Sequence, residues 1–165
     1  MRLTLPGGIM LMVPTFGETG VGKEEEAPVW EAQEKNKALV RRYLEEQAKG
    51  NIAIIDELVA PDFVDRSLMP GQEPDREGYK RSIAELTAPF SDINITIEHQ
   101  VAEGDMVMTW YTGSRIHDRE PFMGVPPSGR RSTFTRFVLH RVVGGKILEE
   151  WSYGGTANIL QPALE

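Results

Sequence analysis

Residues 144–155, with the sequence GGKILEEWSYGG, decide the fold of this chain. Two glycines followed by a stretch of mixed polarity, rich in Glu and aromatic residues, predict the second arm of a β-hairpin whose first arm is residues 134–143. Such a strand is half buried. If the sheet curves around a cavity, we expect the side chains near Trp151 and Tyr153 to point into it.

The chain before this hairpin changes its hydrophobic period from about 3.6 to about 2, which indicates helices followed by strands. The pattern predicts helices over residues 29–50, 51–60 and 75–89, with Gly50 ending the first helix and Asp75 capping the third. It then predicts strands over residues 93–97 and 106–113. Helices first and strands afterwards is the order of an α+β domain, without the alternation that a parallel sheet requires.

Length and composition favour one soluble domain. The chain has 165 residues, 40% hydrophobic residues and a formal net charge of −7, which disfavours a nucleic-acid partner. It has no cysteine, which excludes thiolate chemistry and disulfides, and no apolar run approaches the roughly 20 residues of a membrane-spanning helix. We expect no membrane association and a cytoplasmic location.

The first 28 residues combine glycines, prolines and a run of acidic side chains, and they support no periodic element. We predict a flexible N-terminal extension over residues 1–28 and a single domain over residues 29–165.

Three motifs follow one another in the second half of the chain: Asp105-Met106-Val107, then FMGVPPSG at residues 122–129, then GKILEEW at residues 145–151. In this order they resemble the SnoaL-like polyketide cyclase or ester cyclase family. The resemblance implies the nuclear-transport-factor-like fold, a cone-shaped curved antiparallel sheet wrapped around the N-terminal helices with a cavity inside. It also implies a homodimer formed through the outer face of the sheet.

The resemblance further implies three polar site positions. The acid/base Asp of the cyclases lies four residues after the Trp of the last strand, and this sequence has Gly155 there. A family His after residues 62–65 corresponds to Arg66. Another family His, before residues 122–129, corresponds to Asp118, with His117 beside it.

The strand over residues 134–143 leaves open which of its faces lines the cavity. Phe134, Arg136 and His140 share one face, and each face carries both apolar and polar side chains. If this face points inwards, Arg136 is a buried cation and His140 a titratable group in the cavity. If it points outwards, both lie in solvent or in a dimer interface.

Trp151 and Tyr153 alternate with Glu150 and Ser152, so one pair faces inwards, and the aromatic pair is the more typical pocket wall. Glu149 is more typical of an ion-pair partner than of a base.

We predict two sets of site residues. The candidates for proton transfer are His140, His117 and Asp118. The candidates for ligand binding are Arg66, Trp110, Tyr111, Arg136, Trp151 and Tyr153. Three scattered histidines without cysteine provide no recognisable metal-ligand set, and we expect neither a metal nor a cofactor.

Two functions remain open at this point. The first is a cavity protein that binds a small apolar or aromatic carbonyl compound and acts as a cyclase or isomerase through side-chain proton transfer. The second is a non-catalytic binding or dimerisation module that has lost the cyclase acid/base Asp. Two or more ionisable side chains converging on one cavity would favour the enzyme.

Overall fold

A computed structural model describes residues 28–154 as three helices and five strands. Residues 1–27, which hold most of the predicted extension, and Gly155 lie outside the described residues. The elements, in chain order, are α1 (Val29–Ala48), α2 (Ala53–Leu58), β1 (Val59–Asp65), α3 (Arg76–Thr87), β2 (Phe90–Glu103), β3 (Met106–His117), β4 (Arg130–Val143) and β5 (Lys146–Gly154).

The helices begin and end where local chemistry requires. Asp75 accepts a hydrogen bond from the backbone N of Gly78 at 2.7 Å, which is the predicted N-cap of α3. Gly50 has φ +83° just after α1, a backbone conformation that glycine adopts without strain. Helix α2 ends at Leu58, whereas the sequence pattern predicted helix up to residue 60; Val59 already belongs to β1.

The five strands form one curved sheet in the order β1-β5-β4-β3-β2. β2, β3, β4 and β5 pair antiparallel, and the predicted hairpin of β4 and β5 is confirmed, with Gly144 and Gly145 at positive φ in its turn. β1 pairs in parallel with β5, a contact that no sequence signal predicted. Because β1 and β2 do not pair with each other, the sheet stays open.

The core lies between α1 and the concave face of the sheet. Val40, Tyr43 and Leu44 of α1 pack with Val107 of β3 and Val138 of β4 in one buried cluster. This arrangement confirms the predicted α+β fold. Within residues 28–154, no helix has the length and apolar character needed to cross a membrane.

Gly113 of β3 allows the ring of Phe134 to lie directly against the backbone. A Cβ atom at Gly113 would lie 2.4 Å from Cζ of Phe134 and 2.8 Å from the backbone oxygen of Asn94. Both contacts are shorter than real Cβ atoms show, so Phe134 can cover β3 at this point only because residue 113 has no side chain.

We therefore expect Gly113→Ala to lower the free energy of unfolding by about 1–3 kcal/mol, because the methyl group overpacks this contact. Urea denaturation measures the change. Ser114→Ala on the same strand removes only an exposed hydrogen bond from Arg131 and serves as the control, with a change below about 0.5 kcal/mol. Equal stabilities of the Gly113→Ala protein and the wild type would contradict the steric explanation.

Candidate functional site

A cavity of about 280 Å³ lies between α1, α3 and the concave face of the sheet. Its apolar wall includes Leu44, Ile83, Ile95 and Phe134. Its polar side chains come mainly from the strands and the segment after β1, and they include Asp65, Gln72, Tyr111, Arg115, Arg136 and Glu150. An apolar cavity with a few converging polar groups is the usual form of a small-molecule site.

The carboxylate of Glu150 is the centre of the polar groups. Its Oε2 atom accepts a hydrogen bond from the hydroxyl of Tyr79 at 2.9 Å and lies 3.1 Å from Nε2 of His140. The hydroxyl of Tyr43 in turn donates to that of Tyr79 at 3.0 Å. The Glu150 network, defined here as Glu150, His140, Tyr79 and Tyr43, therefore joins α1, α3, β4 and β5.

Electrostatics keep Glu150 ionised although it is only 4% exposed. Burial alone would raise its pKa, but the contact with His140, the charge of Arg136 and the hydrogen bond from Tyr79 together hold the pKa below its usual value. Burial and the charge of Glu150 raise the pKa of Tyr79 well above its ordinary value, so this phenol remains a hydrogen-bond donor.

Two arginines also line the cavity. Burial disfavours the charge of Arg136, but Tyr111 and Glu150 raise its pKa above the ordinary value. The Cζ atom of Arg115 lies 3.9 Å from the ring centre of Phe90 and 5.1 Å from that of Phe134, in cation–π geometry. Burial, followed by the charge of Arg136, lowers the pKa of Arg115 to about 10.

Asp65 is a second buried carboxylate in the cavity wall. Its Oδ1 accepts from the backbone N of Ser67 at 2.8 Å, and its Oδ2 accepts from Nε2 of Gln72 at 2.6 Å. Burial raises its pKa. These bonds fix the segment between β1 and α3, from which Ser67, Met69 and Gln72 also line the cavity.

A β-bulge determines which side chains of β5 face the cavity. Val142 pairs with Ile147, but Arg141 pairs with Glu149, so Leu148 is an extra residue on β5. Strict alternation from the buried Ile147 would point Trp151 inwards. The extra residue reverses the faces after this point, so that Glu150 faces the cavity and lies opposite His140.

The bulge explains why the predicted aromatic wall is wrong for this cavity. Trp151 and Tyr153 lie on the convex face, with Tyr153 82% exposed, and Glu150 and Ser152 line the cavity instead. Trp110 lies on the same convex face and stacks on Phe137, with ring centres 5.9 Å apart. Tyr111, the next residue, points to the opposite side and lines the cavity.

The face of β4 that carries Phe134, Arg136 and His140 points inwards, which the sequence had left open. Arg136 lines the cavity, and His140 is fully buried behind Glu150. His140 does not line the cavity itself, so it could affect a ligand only through its contact with Glu150.

The other predicted polar residues do not converge on the cavity. His117 is buried, with Nε2 2.8 Å from the carbonyl oxygen of Glu120, whereas Asp118 is exposed and accepts from Ser91 Oγ at 2.6 Å. The side chains of His117 and Asp118, both candidates for proton transfer, therefore have different partners, and neither lines the cavity. Arg66 is exposed and donates from Nε to Glu149 at 3.0 Å, which makes Glu149 the ion-pair partner that the sequence predicted.

Sequence reasoning missed Glu150 and Tyr79 as site residues. Tyr79 lies within the helix predicted over residues 75–89, and no local signal shows that its hydroxyl reaches β5. The motif GKILEEW contains two adjacent glutamates, and only the bulge at Leu148 determines which of them is buried. Among residues 28–154, no group of three or more metal-ligating side chains could hold a metal ion.

An open curved sheet around helices, with an apolar cavity and ionisable side chains on its concave wall, defines the class of α+β cavity proteins to which cyclases and isomerases belong. The chain matches the family model of the SnoaL-like polyketide cyclases over residues 37–162. This protein therefore belongs to the SnoaL-like polyketide cyclase family. Among curated proteins, none matches its sequence.

Solved structures support the same fold. IdmH from Streptomyces antibioticus is similar at 29% identity and a TM-score of 0.67, covering 76% of this chain and 95% of IdmH. AclR from Streptomyces galilaeus is similar at 24% identity and a TM-score of 0.70, covering 78% of this chain and 94% of AclR. A SnoaL-like polyketide cyclase from Agrobacterium tumefaciens is 19% identical with a TM-score of 0.61, covering 75% of this chain and 94% of that one.

The adjacent residues Glu149 and Glu150 provide a matched pair for a stability test. Glu150→Ala leaves His140 and Tyr79 without their buried partner, so we expect the free energy of unfolding to fall by about 3–5 kcal/mol. Glu149→Ala breaks only the partly exposed ion pairs with Arg66 and Arg141, and we expect a loss of about 1 kcal/mol or less. Urea denaturation of both variants measures the difference, and equal losses would contradict the structural role of Glu150.

Proposed function

We propose that this protein binds a small, mostly apolar or aromatic carbonyl compound in its cavity and transfers a proton at the carbon beside the carbonyl group, as a cyclase or isomerase does. The observation that carries the proposal is the buried carboxylate of Glu150 on the cavity wall, held by His140 and Tyr79. A cavity of about 280 Å³ is near the lower limit of typical ligand sites, which favours a ligand built on about one ring.

Glu150 is the proposed base. Its carboxylate would take the proton from the carbon, the electron pair of the broken C–H bond would form the C=C bond of an enolate, and the carbonyl oxygen would become negative. Arg136 lines the same cavity and would bind that oxygen, because a guanidinium group stabilises developing negative charge. In a cyclase the enolate carbon then attacks a second carbonyl, whose oxygen takes the proton back from Glu150. In an isomerase a conjugated enolate takes that proton back at its remote carbon.

His140 and Tyr79 are proposed as positioning residues. Both contact Oε2 of Glu150, which leaves Oε1 for the substrate. They would fix the orientation of the carboxylate and restrict its rotation during the transfer. The family acid/base Asp corresponds to Gly155, so in this proposal Glu150 acts from a different position of the same segment.

Hydrogen–deuterium exchange tests the proposal directly. We expect the wild type to accelerate exchange at the methyl group of acetophenone in D₂O, followed by NMR, and Glu150→Gln to lose this acceleration by about a hundredfold or more, because the base is removed. Glu149→Gln, which changes the neighbouring carboxylate on the other face, should retain it.

A second function is favoured by one specific observation, the glycine at position 155 where the cyclases carry their acid/base Asp. In this reading the cavity binds its ligand without chemistry, and Glu150 serves only to join helices and sheet. Acetophenone that binds to the wild type but exchanges no faster than in buffer would favour this reading over catalysis.

We also propose that the protein forms a homodimer through the convex face of the sheet, as the family resemblance implies. An aromatic stripe crosses this face through Trp110, Phe137 and Tyr153, and Phe137 is 44% exposed. Aromatic residues of this kind are enriched in interfaces, and a two-fold dimer requires one self-complementary patch.

Light scattering after size-exclusion chromatography tests the dimer. We expect the wild type to have the mass of two chains and the Phe137→Glu/Tyr153→Glu double variant that of one chain, because charges would be buried in the interface. Leu68→Glu, an exposed apolar position away from the sheet, is the control and should leave the mass unchanged. A wild type with the mass of one chain would overturn the proposal.

A further inference from the structure

The two acidic and two basic side chains that line the cavity differ in how they are satisfied. Glu150 has His140 and Tyr79 as partners, and Asp65 has Gln72 and the backbone of Ser67. Each carboxylate is therefore held by at least two protein groups. The cation Arg136 differs from them, and this difference gives information about the ligand.

Arg136 has the phenol of Tyr111 as its hydrogen-bond partner, and the charge of Glu150 acts on it from a longer distance. Its Nε atom is buried and donates no hydrogen bond, and among residues 28–154 no carboxylate lies within ion-pairing distance of its guanidinium group. Tyr111 lies beside it, but a phenol cannot balance a full charge. An arginine that is removed from water in this way normally has an anion as its partner.

Arg115 adds a second positive charge to the same cavity wall. Its guanidinium group lies against the rings of Phe90 and Phe134, and the charge of Arg136 is near enough to lower the pKa of Arg115. The like charges of Arg115 and Arg136 repel each other, and the two carboxylates of the cavity have other hydrogen-bond partners. A neutral carbonyl oxygen has only a partial charge and would leave this repulsion largely in place, whereas an anion between the two groups would remove it.

We infer that the ligand is an acid: a small aromatic or apolar compound that carries a carboxylate, which binds between Arg136 and Arg115. A guanidinium group has five N–H donors, so two donors of Arg136 would form parallel hydrogen bonds with the two carboxylate oxygens, and another would remain for the enolate oxygen of the proposed reaction. The apolar part would then contact Leu44, Ile83 and Ile95. This inference rests on the proposed function for the location of the site, and it narrows the substrate to carbonyl compounds that are also carboxylic acids.

The probes are benzoate and benzamide, which have nearly the same shape and differ in charge. Isothermal titration at pH 7 should show that benzoate binds the wild type about tenfold or more tightly than benzamide, since hydrogen bonds between charged groups are the stronger ones. Arg136→Gln should lower benzoate affinity by about tenfold or more and change benzamide affinity little. Arg136→Lys keeps the positive charge but lacks the planar pair of donors. Its affinity for benzoate should therefore lie between those of the wild type and of Arg136→Gln.

Two further variants keep the test decisive if Arg136→Gln fails to fold. Arg115→Gln should also reduce the preference for benzoate over benzamide. Glu149→Gln, which changes a carboxylate outside the cavity, should leave that preference unchanged. Circular dichroism and thermal melting of each variant establish that it is folded.

The results separate this inference from the proposed function. Equal affinities of the wild type for benzoate and benzamide, no binding of either probe, or an unchanged preference in both arginine variants would overturn the acidic ligand. Ketone exchange catalysed by Glu150 could still be present in each of these cases. Conversely, a benzoate preference that depends on Arg136 would support the acidic ligand even if acetophenone exchange were not accelerated.

Discussion

The contact of the Glu150 carboxylate with His140 and Tyr79 is the interaction on which the arrangement of this domain depends. A buried carboxylate is unfavourable unless neighbouring donors compensate for the lost water. Here the donors come from α3 and β4, and a further hydrogen bond continues to Tyr43 on α1. The polar network therefore fixes how the helices lie in the curved sheet, in addition to the apolar contacts of the core, which have little directional preference.

The same network explains why the cavity lies where it does. Tyr43, Tyr79 and His140 fill the space behind Glu150 and are buried, so the hollow begins at the carboxylate and continues past Ser152 and Arg136. Among the described residues, all four charged side chains of the cavity wall come from strands, and the helices contribute none. A ligand of the proposed kind would therefore be oriented with its polar end towards β4 and β5.

The order of the elements was predictable from the sequence because periodicity and turn residues are local signals. The hairpin of β4 and β5, the Asp75 cap and the change from helices to strands were all correct for this reason. The faces of β5 were not predictable, since a single bulge residue, Leu148, inverts every side chain after it and leaves no clear mark in composition. The parallel pairing of β1 with β5 was missed because it joins residues about 85 positions apart, such as Val64 and Glu149.

The lowered pKa of Glu150 limits how well this residue can act as a catalytic base. A carboxylate stabilised by His140, Arg136 and Tyr79 is ionised but weakly basic, whereas an efficient base has a pKa near the working pH. Proton transfer to Glu150 becomes favourable only if the negative charge that leaves it appears next to a cation. In the proposed reaction the enolate oxygen would meet this condition, because the negative charge would move from a carboxylate that lies farther from Arg136 to an oxygen that Arg136 would contact. Arg136 is therefore the group that would make Glu150 a base, and binding and chemistry in this cavity depend on the same side chain.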